Sequence, residues 1–316
     1  MNSHAFSALA PVIVLISLGF FAARWGWIRA VAVKDLSNLV FMVLTPALLF
    51  RTMSTVQVQQ LNFEPVVAYF LAAGLLFGAT LLKNGFSTLG AARGLAHTFG
   101  NTIMIGVPLV GLAFGEPGLV TLFTLISVHS LILLTSATVV FELAAARDLA
   151  RSSGAAPHSM ARTVAQAVRN GIVHPVPLPI IIGLVFAQTG LVMPQVIDKP
   201  LQLLGQALGP VALLLVGVTL AFGSVGTHFK SALRIALVKN LAFPGVLAAC
   251  GWALGLHGLP LAVMVVVSSL PVGANVFLFT QRYGIGQDEV TASIAVSTTL
   301  ALVTVPVVLL LAARFL

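Results

Sequence analysis

The sequence predicts an all-α polytopic membrane protein of ten transmembrane helices, built as two inverted five-helix repeats whose helices 4 and 9 are broken. Three observations carry this: the composition, the placement of the basic residues, and proline motifs that recur half a chain apart. Of 316 residues, 59% are hydrophobic and 8% charged, with mean hydropathy +1.07. A soluble domain carries about 25% charged residues, and in water this apolar excess would leave large uncovered patches. The solvent is therefore lipid, and at about 20 residues per span the length accommodates about ten helices. A net charge of +8 in a soluble chain would suggest nucleic acid, but here the basic residues sit between apolar runs and read as topology signals facing anionic lipid. The single Cys250 lies in an apolar run, which excludes a disulfide framework or a zinc cluster, and no cofactor or metal is expected.

The first apolar run, 5–23, follows an N-terminus with neither the positive region nor the cleavage site of a signal peptide, so it is read as a retained span. Runs at 35–55, 64–82, 95–114 and 118–142 complete a first repeat, residues 1–142. A basic loop, 143–171, leads to runs at 172–190, 200–222, 231–255, 259–281 and 289–313, the second repeat, residues 172–316. Odd-numbered loops hold twelve basic residues, among them Arg24, Lys34, Lys83, Arg93, Arg147, Arg162, Arg169 and Lys230, against Arg51, Lys199 and Arg314 on the other side. The positive-inside rule places the odd loops in the cytoplasm and both termini outside. Five spans on either side of the central loop make the second half enter from the opposite face.

The repeat has internal support. Thr45-Pro46 in span 2 matches Gly209-Pro210 in span 7, and Val107-Pro108 in span 4 matches Leu270-Pro271 in span 9, at offsets of 164 and 163 residues. Spans 4 and 9 place Asn101, Thr102, Gly106 and Pro108, and Pro271, Gly273, Ala274 and Asn275, near the middle of apolar stretches. Proline removes a helical hydrogen bond and clashes with the preceding turn, and glycine permits unwinding. Unpaired backbone at that depth is tolerated only against protein or a water-filled cavity, so paired breaks point to a substrate site at the midplane. Half-helix N-termini carry partial positive charge and free N–H groups, enough to hold a carboxylate, with Asn101 and Asn275 as further donors. The alternative is a pair of kinked helices whose asparagines merely bond to neighbours.

Asn101-Thr102 through Gly106, Pro108 and Leu109 resembles the N-T-x-x-x-G-x-P-L signature of the auxin efflux carrier family, and Leu270 through Phe279 to Tyr283 is similar to that family's ninth span. Lys239 followed by Pro244, and Gly209-Pro210 followed by Gly217, also fit. The resemblance covers essentially the whole chain. It implies that helices 4 and 9 cross, that spans 1, 2, 6 and 7 form a scaffold, and that spans 3–5 and 8–10 move as an elevator-type transport domain. It implies organic anions such as auxin-like acids or malonate as substrates. The short central loop is similar to that of a bacterial member, hence the inner membrane, and pairing of two copies through the scaffold is an expectation.

Lys239 lies about 12 Å into span 8, where a charge is functional by default. It could attract the anion, stand in for a bound cation, or snorkel to the cytoplasmic face. His129, within span 5, could shuttle a proton or simply pack. All eight acidic residues fall in loops or at span ends, which disfavours coupling through a buried acid. A sodium-coupled symporter of the bile acid type and an anion channel remain as alternatives. An intramembrane hydrolase is disfavoured, because Gly85-Phe86-Ser87-Thr88 lies in a loop with no histidine to pair with Ser87.

Overall fold

The computed structural model describes residues 2–56, 61–153, 177–223 and 226–316. The described residues are helical apart from turns and one antiparallel bridge, Gly100 to Val272. Helix is what an apolar run adopts in lipid, because it bonds every backbone group within the segment. The first helices are α1 (Asn2–Arg24), α2 (Ala32–Met53), α3 (Glu64–Asn84) and α4 (Thr88–Thr98). A break and a π turn at Thr102–Gly106 lead into α5 (Val107–Ser153), which doubles back at Gly115, whose φ of 64° suits only glycine. Then follow α6 (Pro177–Gln188), α7 (Gln195–Phe222), α8 (Phe229–Ala253), α9 (Gly258–Ser268), α10 (Ala274–Tyr283) and α11 (Gln287–Ala312).

Among the described residues, six stretches are long and apolar enough to cross a membrane: α2, α3, Thr102–Ala145, α7, α8 and Gln287–Phe315. Ala10–Arg24, Leu178–Gln188 and Gly258–Ser268 are apolar but shorter. The predicted runs 5–23, 35–55, 64–82, 200–222, 231–255 and 289–313 agree with observed helices to within five residues at both ends. Two runs differ more. The fourth begins at Thr88, not 95, because Ser87 caps the helix by accepting from the Gly90 N–H at 3.1 Å. Arg93, read as a loop charge, is therefore helical, and it is neutralised by Glu289. The fifth continues to Ser153, so Arg147 and Arg151 lie on helix. The rest of the basic loop, with Arg162, Arg169 and the start of the sixth run, lies outside the described residues.

Three π turns follow one rule. Val40–Leu44 precedes Pro46, Thr102–Gly106 precedes Pro108, and Val238–Ala242 precedes Pro244, each ending two residues before the ring. The ring cannot donate and crowds the carbonyl four residues back, so the ladder widens by one residue there rather than kinking freely.

The helices pack as two groups. In one, α7 lies against α1 and α2, and α2 against α6. An ideal Cβ on Gly19 would strike the Leu214 carbonyl, and one on Gly217 the Ile16 carbonyl, so small residues bring these backbones together. Arg51 closes this group with a bidentate pair to Asp198 at 2.7 and 3.1 Å. In the other group α3 packs on α4 and α8, α8 on α9 and α11, and α9 on α5. Here Arg93 makes the bidentate pair, to the buried carboxylate of Glu289 at 3.0 Å on both oxygens. Phe141, Glu142 and Phe279 aside, the side-chain hydrogen bonds and ion pairs between separate helices of the described residues stay within one group or the other.

Candidate functional site

The two breaks meet inside the second group. The Asn101 N–H donates to the Pro271 carbonyl at 2.8 Å, and the Gly273 N–H to the Phe99 carbonyl at 2.9 Å. Each unwound segment thus supplies the partner that the other lost, which is how two interruptions persist at a depth without bulk water. Gly273 is required by proximity. A Cβ there would lie 2.8 Å from both the Gly100 carbonyl oxygen and a Phe99 ring carbon. The equivalent atom on Gly106 would meet only the movable end of Leu270, at 2.8 Å.

Not every amide is left bare. The Val272 N–H donates to Ser297 Oγ at 3.1 Å, and the Asn101 carboxamide oxygen accepts from the Met104 N–H at 3.2 Å, acting as the N-cap of the following turn. With its oxygen so held, the Asn101 amide NH₂ is turned outward as a donor. The first-turn amides of Ala274 and Asn275 have no acceptor among the described residues, and the Asn275 side chain has no protein partner among them. Asn101, Ala274 and Asn275 all line a cavity of about 790 Å³. Its opposite wall is a stripe of α2 at helical spacing, Lys34, Ser37, Asn38 and Phe41, closed off by Val216 and Thr219 of α7. Lys34 is the one charged side chain among its described lining residues. A smaller pocket of about 30 Å³ behind the junction touches Thr102, Gly273 and His129. Gly106, Pro108, Pro271 and Lys239 line neither space; they shape the backbone from behind.

Two side chains close the carbonyl ends of the half-helices. Lys239, fully buried, donates from Nζ to the carbonyls of Ser268 and Leu270, both at 2.6 Å, where α9 ends. Its stem does not snorkel. Its ammonium also stands 5.1 Å from the centre of the Phe243 ring, and a Cβ on Gly100 would come within 3.3 Å of it. At the end of α4 the corresponding group is the Tyr69 hydroxyl, 3.3 Å from the Thr98 carbonyl and 3.1 Å from His129 Nε2. A carbonyl can only accept, so the phenol proton points to Thr98 and His129 donates from Nε2. His129 is packed against Phe99, with ring centres 4.6 Å apart. Beside Lys239, Asn240 donates to the Ser297 carbonyl at 2.9 Å and ties α8 to α11. Sequence reasoning passes over Tyr69 and Ser297, and it reads Lys34 only as a topology charge. A tyrosine inside an apolar run needs a partner for its hydroxyl, and that was the available signal.

A family described as membrane transport protein matches residues 4–309. A protein of Rhizobium meliloti (strain 1021) named "Putative malonate transporter" is 27% identical over 303 residues, 93% of this chain and 92% of that protein. Auxin efflux carrier component 8 of Arabidopsis thaliana is 23% identical over an alignment of 349 positions, 95% of each chain. Auxin efflux carrier component 3a of Oryza sativa subsp. japonica is 34% identical over 95 residues, 29% of this chain and 15% of that protein.

Proposed function

The chain belongs to the membrane transport protein family, a family of transporters and not of enzymes, and from that premise we propose that it is a secondary carrier of small organic anions, carboxylates foremost. The observation that carries this reading is the junction of the two breaks. It presents the free amides of Ala274 and Asn275, and the side chains of Asn101 and Asn275, to one cavity. Donors predominate there, no carboxylate is among the described lining residues, and Lys34 adds a positive charge. Such a wall favours an anion. Neutral amides hold it without an internal ion pair, which suits a ligand that must be released. A relative named for malonate supports the carboxylate class, and the apolar Phe41, Met42 and Phe277 in the same lining leave room for a hydrophobic tail.

In this reading the chain has ten spans, with α4 and the start of α5, and α9 and α10, as the fourth and ninth. The first and second packing groups are the scaffold and the elevator. The cavity reaches Lys34 and Gly223, ends of helices that the positive-inside rule places in the cytoplasm, so the carrier faces inward with both termini outside. A bacterial inner-membrane setting and pairing of scaffolds are the corresponding expectations. A thermal-shift screen of purified protein against mono- and dicarboxylates, followed by flux in proteoliposomes, tests the reading. Stabilisation by carboxylates, saturable uptake and counter-exchange are expected. Non-saturating flux would make it a channel, and indifference to every anion would end the proposal.

A further inference from the structure

The unwound carbonyls and half-helix C-terminal ends of broken transporter helices are where coupling cations are held. Here that place is already filled by part of the chain. We propose that the Lys239 ammonium is a resident cation that holds the junction shut by its charge, so that assembly of the site calls for no sodium ion.

The argument is geometric. The carbonyl end of a helix carries roughly half a negative charge, and α9 directs its end at the Lys239 Nζ through Ser268 and Leu270, both at 2.6 Å. Contacts this short are typical of charge-assisted bonds. The side chain is wholly buried, and no carboxylate bonds to it among the described residues, so the backbone is its counter-charge. The Phe243 ring face, 5.1 Å away, adds a second electron-rich surface. The same tip lies against Gly100 of the first break, where a Cβ would stand 3.3 Å from Nζ. One ammonium therefore bonds the second interruption and stands beside Gly100 of the first, next to where Asn101 pairs with Pro271. Lys239 is a positioning residue: it lines neither cavity and acts on substrate through the amides it fixes.

The inference rests on the carrier reading only for its consequence in transport, so its test is read first without substrate. Lys239→Ala removes a propylammonium group from the side chain. In purified protein, n-propylammonium should restore at least half of the thermal stability that the variant loses, while 1-propanol, of similar size and uncharged, should not. Wild-type protein should unfold at the same temperature in sodium and in potassium. Lys239→Met keeps the stem and discards the charge, and guards against an alanine variant that does not fold. It should unfold well below wild type and lose transport by about tenfold or more. Three results would overturn the proposal: wild-type stability in Lys239→Met, equal effects of amine and alcohol, or specific stabilisation of the wild type by sodium. Amine rescue without carboxylate transport would instead leave Lys239 as assigned and refute the carrier reading.

Discussion

The ends of α4 and α9 occupy like places in the chain and are closed by unlike chemistry. Thr98 and Ser268 lie 170 residues apart, and so do the groups that reach them, Tyr69 and Lys239. The first break receives a neutral phenol at 3.3 Å, backed by His129, and its continuation is capped by Asn101. The second receives a buried ammonium at 2.6 Å, and its continuation at Ala274 keeps unpaired amides. Two similar junctions are thus closed by different chemistry. One break is a finished joint, and the other is pinned at its carbonyl end while its amide end faces the cavity.

Perturbing each side separately should expose that division. The largest effect is expected for Lys239→Met, at about 3 kcal/mol of stability in detergent, since two buried carbonyls lose a charged partner. Thermal unfolding checks it. Gly273→Ala should follow at about 2 kcal/mol, because the new methyl meets backbone, whereas Gly106→Ala should lose less than half as much because Leu270 can turn aside. The two unfolding temperatures decide between these. Asn101→Ala should lose about 1 kcal/mol along with its cap. Asn275→Ala should unfold like wild type and yet fail in uptake, and an Asn275→Ala variant that transports normally removes it from the site. Tyr69→Phe should unfold within about 1 kcal/mol of wild type and keep most of its flux, the mildest change at either helix end. Smallest of all, Lys34→Gln should raise the KM for a carboxylate severalfold at unchanged kcat. The wild type's KM should rise with ionic strength more steeply than the variant's.

Much of this could be read from the sequence, and the unread part has a common cause. Pro108, Pro271 and the glycines beside them announce the breaks because their chemistry is local: a missing N–H and a missing Cβ. Lys239 stood out by its depth and by its place ahead of Pro244, but its partners Ser268 and Leu270 could not be foreseen, since backbone carbonyls leave no mark in a sequence. Arg93 was assigned to a loop because a charge ordinarily ends an apolar run, and its partner Glu289 lies 196 residues away. The role of Lys34 as cavity lining depends on how α2 faces α10, again a matter of tertiary placement. The breaks seemed to promise bare amides throughout, but the two segments bond to each other and leave free those at the start of α10.

The two arginine–carboxylate clasps, Arg51 with Asp198 and Arg93 with Glu289, each rivet one bundle to itself. Between the bundles the described contacts rely on fit, as where α1 and α7 meet α5 and the π turn ahead of it. In the proposed elevator this seam is the sliding surface, and its described contacts are mainly a matter of shape. Bulk would jam such a surface, so if the elevator proposal holds, a tryptophan placed where α1 and α7 meet α5 should stop uptake while both groups stay folded.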